Sequence, residues 1–281
     1  MVSVDRGSAS SYHVCIQLLS WSIYMKKLLL VIFYLSVFTA TFAQGPPIFT
    51  DTPIMLGLEG RGIRTFGNII SRENGSGYVH PVVFPYNITN KWQVGVAVPF
   101  VSMRPSGSTS RSGVGDLAVF TKYQIYQKDG KGKTLRSLIK LAETFPTGNS
   151  TDSPALGTGA NQTTISLVNG YVTTKFGLYT EVGYNITSNG LPDNFIYNIA
   201  LGYPLLPQKY PPNQVNVFLE LIGNYILDDI GNNLFVAPGI QYIAGRRVLF
   251  ESGIQIPLNQ VAPVGQQTDY ILRIGTRILI F

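Results

Sequence analysis

Charge enters an otherwise apolar, alternating pattern at Arg64, Lys122, Lys140, Glu181, Glu220, Glu251, Arg273 and Arg277. Each stands among hydrophobic residues spaced two apart, and each takes the other parity. Successive side chains of a strand point to opposite faces, so these groups share the polar face of a sheet. Counted from one end of their strands, Arg64, Lys122, Lys140, Glu181, Glu220, Glu251 and Arg277 fall about four to six residues in, at one level. Two outcomes are open for such a level. In a closed sheet the bases and the acids occupy opposing walls, and the field between them would orient a polar or dipolar solute at a constriction. Alternatively the same charges meet as salt bridges and fill the interior.

Other chemistry has little to work with. His80 is the only histidine after Met25, and the sole cysteine is Cys15. A nucleophile and base pair would have to be built on His80, which stands beside Pro81 and is read as a rim residue near the outer end of a strand. The acids are scattered, without ligand spacing, so neither a metal site nor a cofactor is expected. The chain is not expected to be an enzyme; a membrane-embedded hydrolase would require His80. A net charge of +6 with no basic run gives no nucleic-acid footprint.

The elements that must position the eight charges are strands, and the last is the clearest. In residues 267–281 (QTDYILRIGTRILIF) Tyr270, Leu272, Ile274, Thr276, Ile278 and Ile280 share one parity, and Asp269, Arg273, Gly275 and Arg277 the other. An arginine facing lipid at mid-bilayer costs about 2 to 4 kcal/mol, so the even parity must face the membrane. Lys91 to Phe100 repeats the pattern, with Trp92, Val94, Val96, Val98 and Phe100 on one face. That run spans roughly 20 Å when tilted, near the apolar band of about 25 Å expected of an outer-membrane barrel.

Twelve such segments are predicted, at about 60–71, 78–88, 91–102, 113–127, 134–146, 160–173, 176–188, 194–205, 214–227, 232–244, 246–257 and 267–281. Connections after odd segments are mostly long and polar, as in 103–112 and 147–159. Those after even segments are mostly minimal, as in Thr89-Asn90, Thr174-Lys175 and Gly245. Long loops on one side and short turns on the other mark an antiparallel up-and-down transmembrane β-barrel, all-β, of about 12 strands. A secreted β-sandwich also alternates but predicts no such asymmetry. Charged residues at 13% and aromatics at 12% suit one lipid face and many turns.

Ahead of the barrel, MKKLLLVIFYLSVFTATFA from Met25 has the layout of a secretory signal peptide cleaved before Gln44. Residues 1–43 are therefore read as an upstream extension plus cleaved signal, with Met25 the expected true start. Residues 44–59 form an irregular lead-in, in the periplasm or tucked into the barrel mouth, and 60–281 form the barrel. Expected partners are outer-membrane lipid, a small-molecule solute, and the barrel-assembly machinery through the C-terminal strand.

Ile48 to Pro53 (IFTDTP) with the Gly60-Arg61-Gly62 turn, then Gly113 to Tyr123 (GVGDLAVFTKY), then Leu141 to Gly148 (LAETFPTG), stand in the order and spacing of a known motif set. Together they resemble the outer-membrane family named for the meta-pathway of phenol degradation, over nearly the whole chain after the signal. The resemblance implies a transporter-like barrel associated with uptake of aromatic compounds. The chain departs from it at Thr52, where a second acid is usual, and at Phe145, where leucine is usual. Phe281 falls on the parity of Arg277, unlike the common barrel ending. Within the motifs Gly113 and Gly115 let the loop approach the sheet, Asp116 can bond loop amides, and Pro146 and Gly148 end a strand and begin a loop. The expected function is an outer-membrane, porin-like channel for small solutes such as phenols or aromatic acids. The alternative is a closed-lumen structural or adhesive barrel acting through its loops.

Overall fold

The computed structural model describes residues 45–207, 212–227, 231–261 and 267–280; the expected signal peptide and Phe281 lie outside them. Thirteen strands appear among the described residues: β1 (Arg61–Arg72), β2 (Gly75–Asn87), β3 (Trp92–Pro105), β4 (Arg111–Val114), β5 (Leu117–Gly130), β6 (Lys133–Phe145), β7 (Gln162–Thr173), β8 (Gly177–Thr187), β9 (Asn194–Pro204), β10 (Asn213–Ile226), β11 (Gly231–Ala244), β12 (Val248–Asn259) and β13 (Thr268–Ile280). All pairs are antiparallel. β1 lies between β2 and β13, β2 also pairs with β3, and the sheet closes. None of the described residues forms a helix long and apolar enough to cross a membrane, which says nothing of a barrel that crosses with strands.

β4 and β5 together make one stave. Both add to β3, β4 through pairs from Phe100↔Val114 to Met103↔Arg111 and β5 through Trp92↔Tyr123 to Ala97↔Ala118. The expected continuous strand over 113–127 is thus interrupted at Gly115-Asp116. The Gly115 N–H still reaches the Pro99 carbonyl at 2.9 Å, while the Asp116 carboxylate turns away to serve a loop. The barrel therefore has twelve staves, as the alternation predicted.

Burial is inverted relative to a water-soluble protein. Leu219, Ile240 and Ile274 are half or more exposed, while Glu220, Gln241 and Asn216 are fully buried. Hydrocarbon is the solvent that makes this favourable: backbone groups are paired in the closed ladder, and apolar side chains face lipid. Outward Trp92, Tyr123, Tyr203 and Tyr242 gather near the short turns, and Phe145, Tyr184, Phe195 and Tyr270 near the long connections. Two aromatic belts of this kind sit at the two membrane interfaces.

His80 is placed differently from the rim position expected of it. It is the sixth of thirteen residues in β2, and it pairs with outward Phe100, so its ring lies on the lipid-facing wall. An imidazole there must find partners within the protein. It does so twice: Nε2 lies 2.7 Å from Thr65 Oγ1 and Nδ1 lies 2.7 Å from Tyr78 Oη. The two hydroxyls can donate or accept, so either neutral tautomer is satisfied.

Candidate functional site

The lead-in does not stop at the barrel mouth. Residues 45–53 cross the lumen, and their backbone is bonded to the charged level. The Ile48, Phe49 and Thr50 amides all donate to the Glu220 carboxylate, at 2.8, 3.1 and 2.7 Å for their shortest contacts. The Asp51 amide reaches Glu181 at 3.3 Å. On the other side of the segment the carbonyls accept. Gln241 donates to Pro46 (2.8 Å), Arg277 to Pro47 (2.6 Å), and both Arg64 and Arg273 to Ile48 (2.7 Å each). The peptide dipoles of residues 46–51 thus lie with N–H toward acids and C=O toward bases. Charge-assisted bonds of this kind are the strong ones, and an irregular segment inside a barrel has no other way to satisfy its backbone.

Side chains complete the fit. Ile48 is fully buried against Tyr179, Ala200 and Phe218, with Phe49 and Val172 packed on the cluster. Two inward glycines make room for it. A Cβ at Gly239 would fall 2.4 Å from Ile48 Cδ1, and one at Gly253 would fall 2.8 Å from Phe49 Cε2. Phe49 also lies under the Arg273 guanidinium at 4.4 Å, and Arg273 stacks on Phe66 at 4.3 Å on its way to Asn68.

The eight predicted charges come together, but not as two walls facing across open space. Glu251 on β12 binds its near neighbours, Arg64 of β1 at 2.9 Å and Arg277 of β13 at 2.7 Å. Glu181 on β8 meets Lys140 of β6 at 3.4 Å and accepts from Asn198 and Ser166. Glu220 is taken by the lead-in. The opposing-wall arrangement is therefore corrected: β12 is adjacent to β13 and one strand removed from β1, and salt bridges together with the inserted segment span the level. Asp51, in the IFTDTP stretch, adds the missing acid, with Lys122 Nζ at 2.5 Å and Lys140 Nζ at 3.0 Å. Burial opposes its ionisation, but the two ammoniums, Lys122 foremost, overcome this and hold the carboxyl well below the ordinary carboxylate range.

Beside the lead-in the lumen is not full. A cavity of about 580 Å³ reaches from the short-turn mouth, at Gly245 to Arg247, past Lys122 and Lys140. Its far wall is Ala97, Ala118, Phe120 and Ala142 on β3, β5 and β6, and its near wall is Ile54, Met55 and Leu56 of the lead-in. Arg64, Arg246, Arg247 and Arg277 also line it, and a chamber with an apolar wall and several cations suits a small ring bearing a negative group.

At the other end Asp116 ties down the longest described loop. It accepts from the Gly148 amide at 2.9 Å, the Thr158 amide at 2.7 Å and the Thr158 hydroxyl at 2.8 Å. Thr147 joins the Gly115 carbonyl and the Leu117 amide, and the Gly113 Cα leaves 3.0 Å to Leu156 where a Cβ would stand. Pro146 precedes this anchoring Thr147-Gly148 pair, just beyond the end of β6 at Phe145.

Tyr179, Gln241, Gly239 and Gly253 were not singled out in the sequence, although their inward parity was legible. Inward glycines flanked by apolar residues were the available sign of a second chain segment lying against the wall. Among the described residues no cluster of His, Cys, Asp and Glu is arranged to hold a metal ion.

Solved structures share the architecture. The COG4313 outer membrane channel from Pseudomonas putida F1 superposes with a TM-score of 0.66 at 13% identity, covering 83% of this chain and 100% of that one. The beta domain of the Bordetella autotransporter BrkA gives 0.49 at 15% identity, over 78% of this chain and 98% of that one. At 13% identity the likeness to the channel is one of fold, an outer-membrane β-barrel. No curated protein matches the sequence. The family described as "Putative MetA-pathway of phenol degradation" matches residues 67–272, which include Asp116 and five of the eight lumen charges, Lys122, Lys140, Glu181, Glu220 and Glu251; the chain belongs to that family.

Proposed function

We propose that the chain is a gated outer-membrane channel for small solutes, with aromatic acids and phenols the best fit, and that the lead-in is its gate. The observation that carries the reading is the cavity of about 580 Å³ beside residues 51–56, which joins an apolar wall to a basic one, with Lys122 and Lys140 facing Asp51 and Arg64, Arg246, Arg247 and Arg277 also in the lining. A solute carboxylate or phenolate can take the place of Asp51 on the two ammoniums while its ring lies against Phe120 and the alanines of β3, β5 and β6. Loss of the Asp51 contact removes one of the two ends by which residues 48–51 are held. The family description, which names phenol degradation, supports an aromatic solute. Delivery of β13 to the barrel-assembly machinery, and a signal peptide before residue 44, belong to the same proposal.

The test is single-channel conductance of the refolded mature chain in a planar bilayer, beside a variant lacking residues 45–53 and a Lys140→Ala variant. Small or rare steps for the intact chain, large stable steps after the deletion, and reduced anion preference in Lys140→Ala are expected. The extent to which the lead-in fills the charged level favours a second reading, a permanently closed barrel acting through its loops. Silence from the deletion variant, shown to be folded by heat-dependent gel mobility, would establish that reading and sink the channel.

A further inference from the structure

On the outer wall, away from the lumen, β1 to β4 form a second concavity of about 430 Å³. Apart from Gly77, its lining belongs to the lipid-facing parity. Ser102 pairs with both Tyr78 and Ser112, and Ser76 pairs with Arg104, so these side chains emerge side by side toward the bilayer. The groove has a polar end and an apolar end. At the polar end Arg104 stands beside the hydroxyls of Ser76, Ser102 and Ser112, next to the connection from β3 to β4. At the other end lie Ile69, Tyr78 and Phe100. Four residues separate Phe100 from Arg104, about 13 Å along the strand and roughly 10 Å in depth at ordinary barrel tilt.

An exposed guanidinium on a membrane-facing wall is unfavourable unless an anion meets it. Three hydroxyls around it supply the additional donors that a phosphate, with several acceptor oxygens, can use. The apolar floor below is held in shape. A Cβ at Gly67 would come within 2.7 Å of the Tyr78 ring, so that ring lies across Gly67, and its hydroxyl is held by His80, itself bonded to Thr65. The polar chain in the lipid-facing wall thus fixes the aromatic that walls the groove. We propose that the groove is a binding site for a phosphate-bearing glycolipid of the outer leaflet, with the phosphate on Arg104 and the serines and an acyl chain along Ile69, Tyr78 and Phe100.

Native mass spectrometry of the mature chain in neutral detergent, titrated with bis-phosphorylated lipid A, tests the site. Saturable retention of one lipid is expected, weakened about tenfold or more in Arg104→Gln and in wild type titrated with the dephosphorylated lipid, on the strength of a charged hydrogen-bonded contact. Lys91→Gln, at the opposite end of the barrel, should bind like wild type. Folding of each variant is checked by gel mobility before heating. Equal retention of phosphorylated and dephosphorylated lipid, or an Arg104→Gln variant indistinguishable from wild type, would overturn the proposal. Displacement of the lipid by millimolar inorganic phosphate would also overturn it, since the groove would then recognise the free ion.

Discussion

Glu220 is the residue on which the lumen turns, because one carboxylate accepts from three consecutive amides. Hydrogen bonds to a charged group contribute about 1.5 to 3 kcal/mol, so Glu220→Gln should raise the open fraction of the channel by roughly tenfold or more, measurable as open probability in a bilayer. Gly239→Val should act in the same direction for a steric reason, since its side chain must occupy the space of Ile48 Cδ1. Asp51 sets the pH dependence. Its carboxyl titrates lower in the docked segment than in a free chain, so its contacts stabilise docking fully above the ordinary value near 4 and fade only as pH falls through the depressed one. Conductance should therefore stay low from neutral pH down to about 4 and increase only in stronger acid; an increase already at pH 5 to 6 would contradict the assignment.

Among elements, the lead-in and the loop after β6 behave as separate closures of the two ends. Asp116→Ala removes the acceptor shared by Gly148 and Thr158. Limited proteolysis should then cut within residues 148–158 several times faster, with no change in barrel mobility on gels. Strands were the most legible elements, because lipid on one side and charge on the other force a period of two. The split of the fourth stave was not legible: Gly115-Asp116 continues the alternation, and only the loop that claims Asp116 explains the break. The lead-in was hidden for a related reason. A segment with Pro46, Pro47 and Pro53 has no periodicity, and its partners at Glu220, Arg273 and Arg277 lie some 170 to 230 residues away.

For the whole molecule, the charged level was visible as a set of residues before its pairing was. Parity placed Arg64, Lys122, Lys140, Glu181, Glu220, Glu251, Arg273 and Arg277 inward, but stagger between staves decides which meet, and stagger is not written in any one strand. His80 stands deeper than its rim reading because β2 begins at Gly75, three residues before the expected start at Tyr78; Tyr78 shares its face two residues away, and only Thr65 is brought to it by the pairing of β1 with β2. The arrangement of residues 46–51 also means that the barrel wall holds a complete imprint of a short peptide, with acceptors for its amides, donors for its carbonyls and hollows for an isoleucine and a phenylalanine. A barrel lacking residues 45–53 would thus be a receptor in its own right. A synthetic peptide carrying IFTDTP, added on the side of the short turns, should close it again, and one with the isoleucine replaced by alanine should do so with weaker affinity.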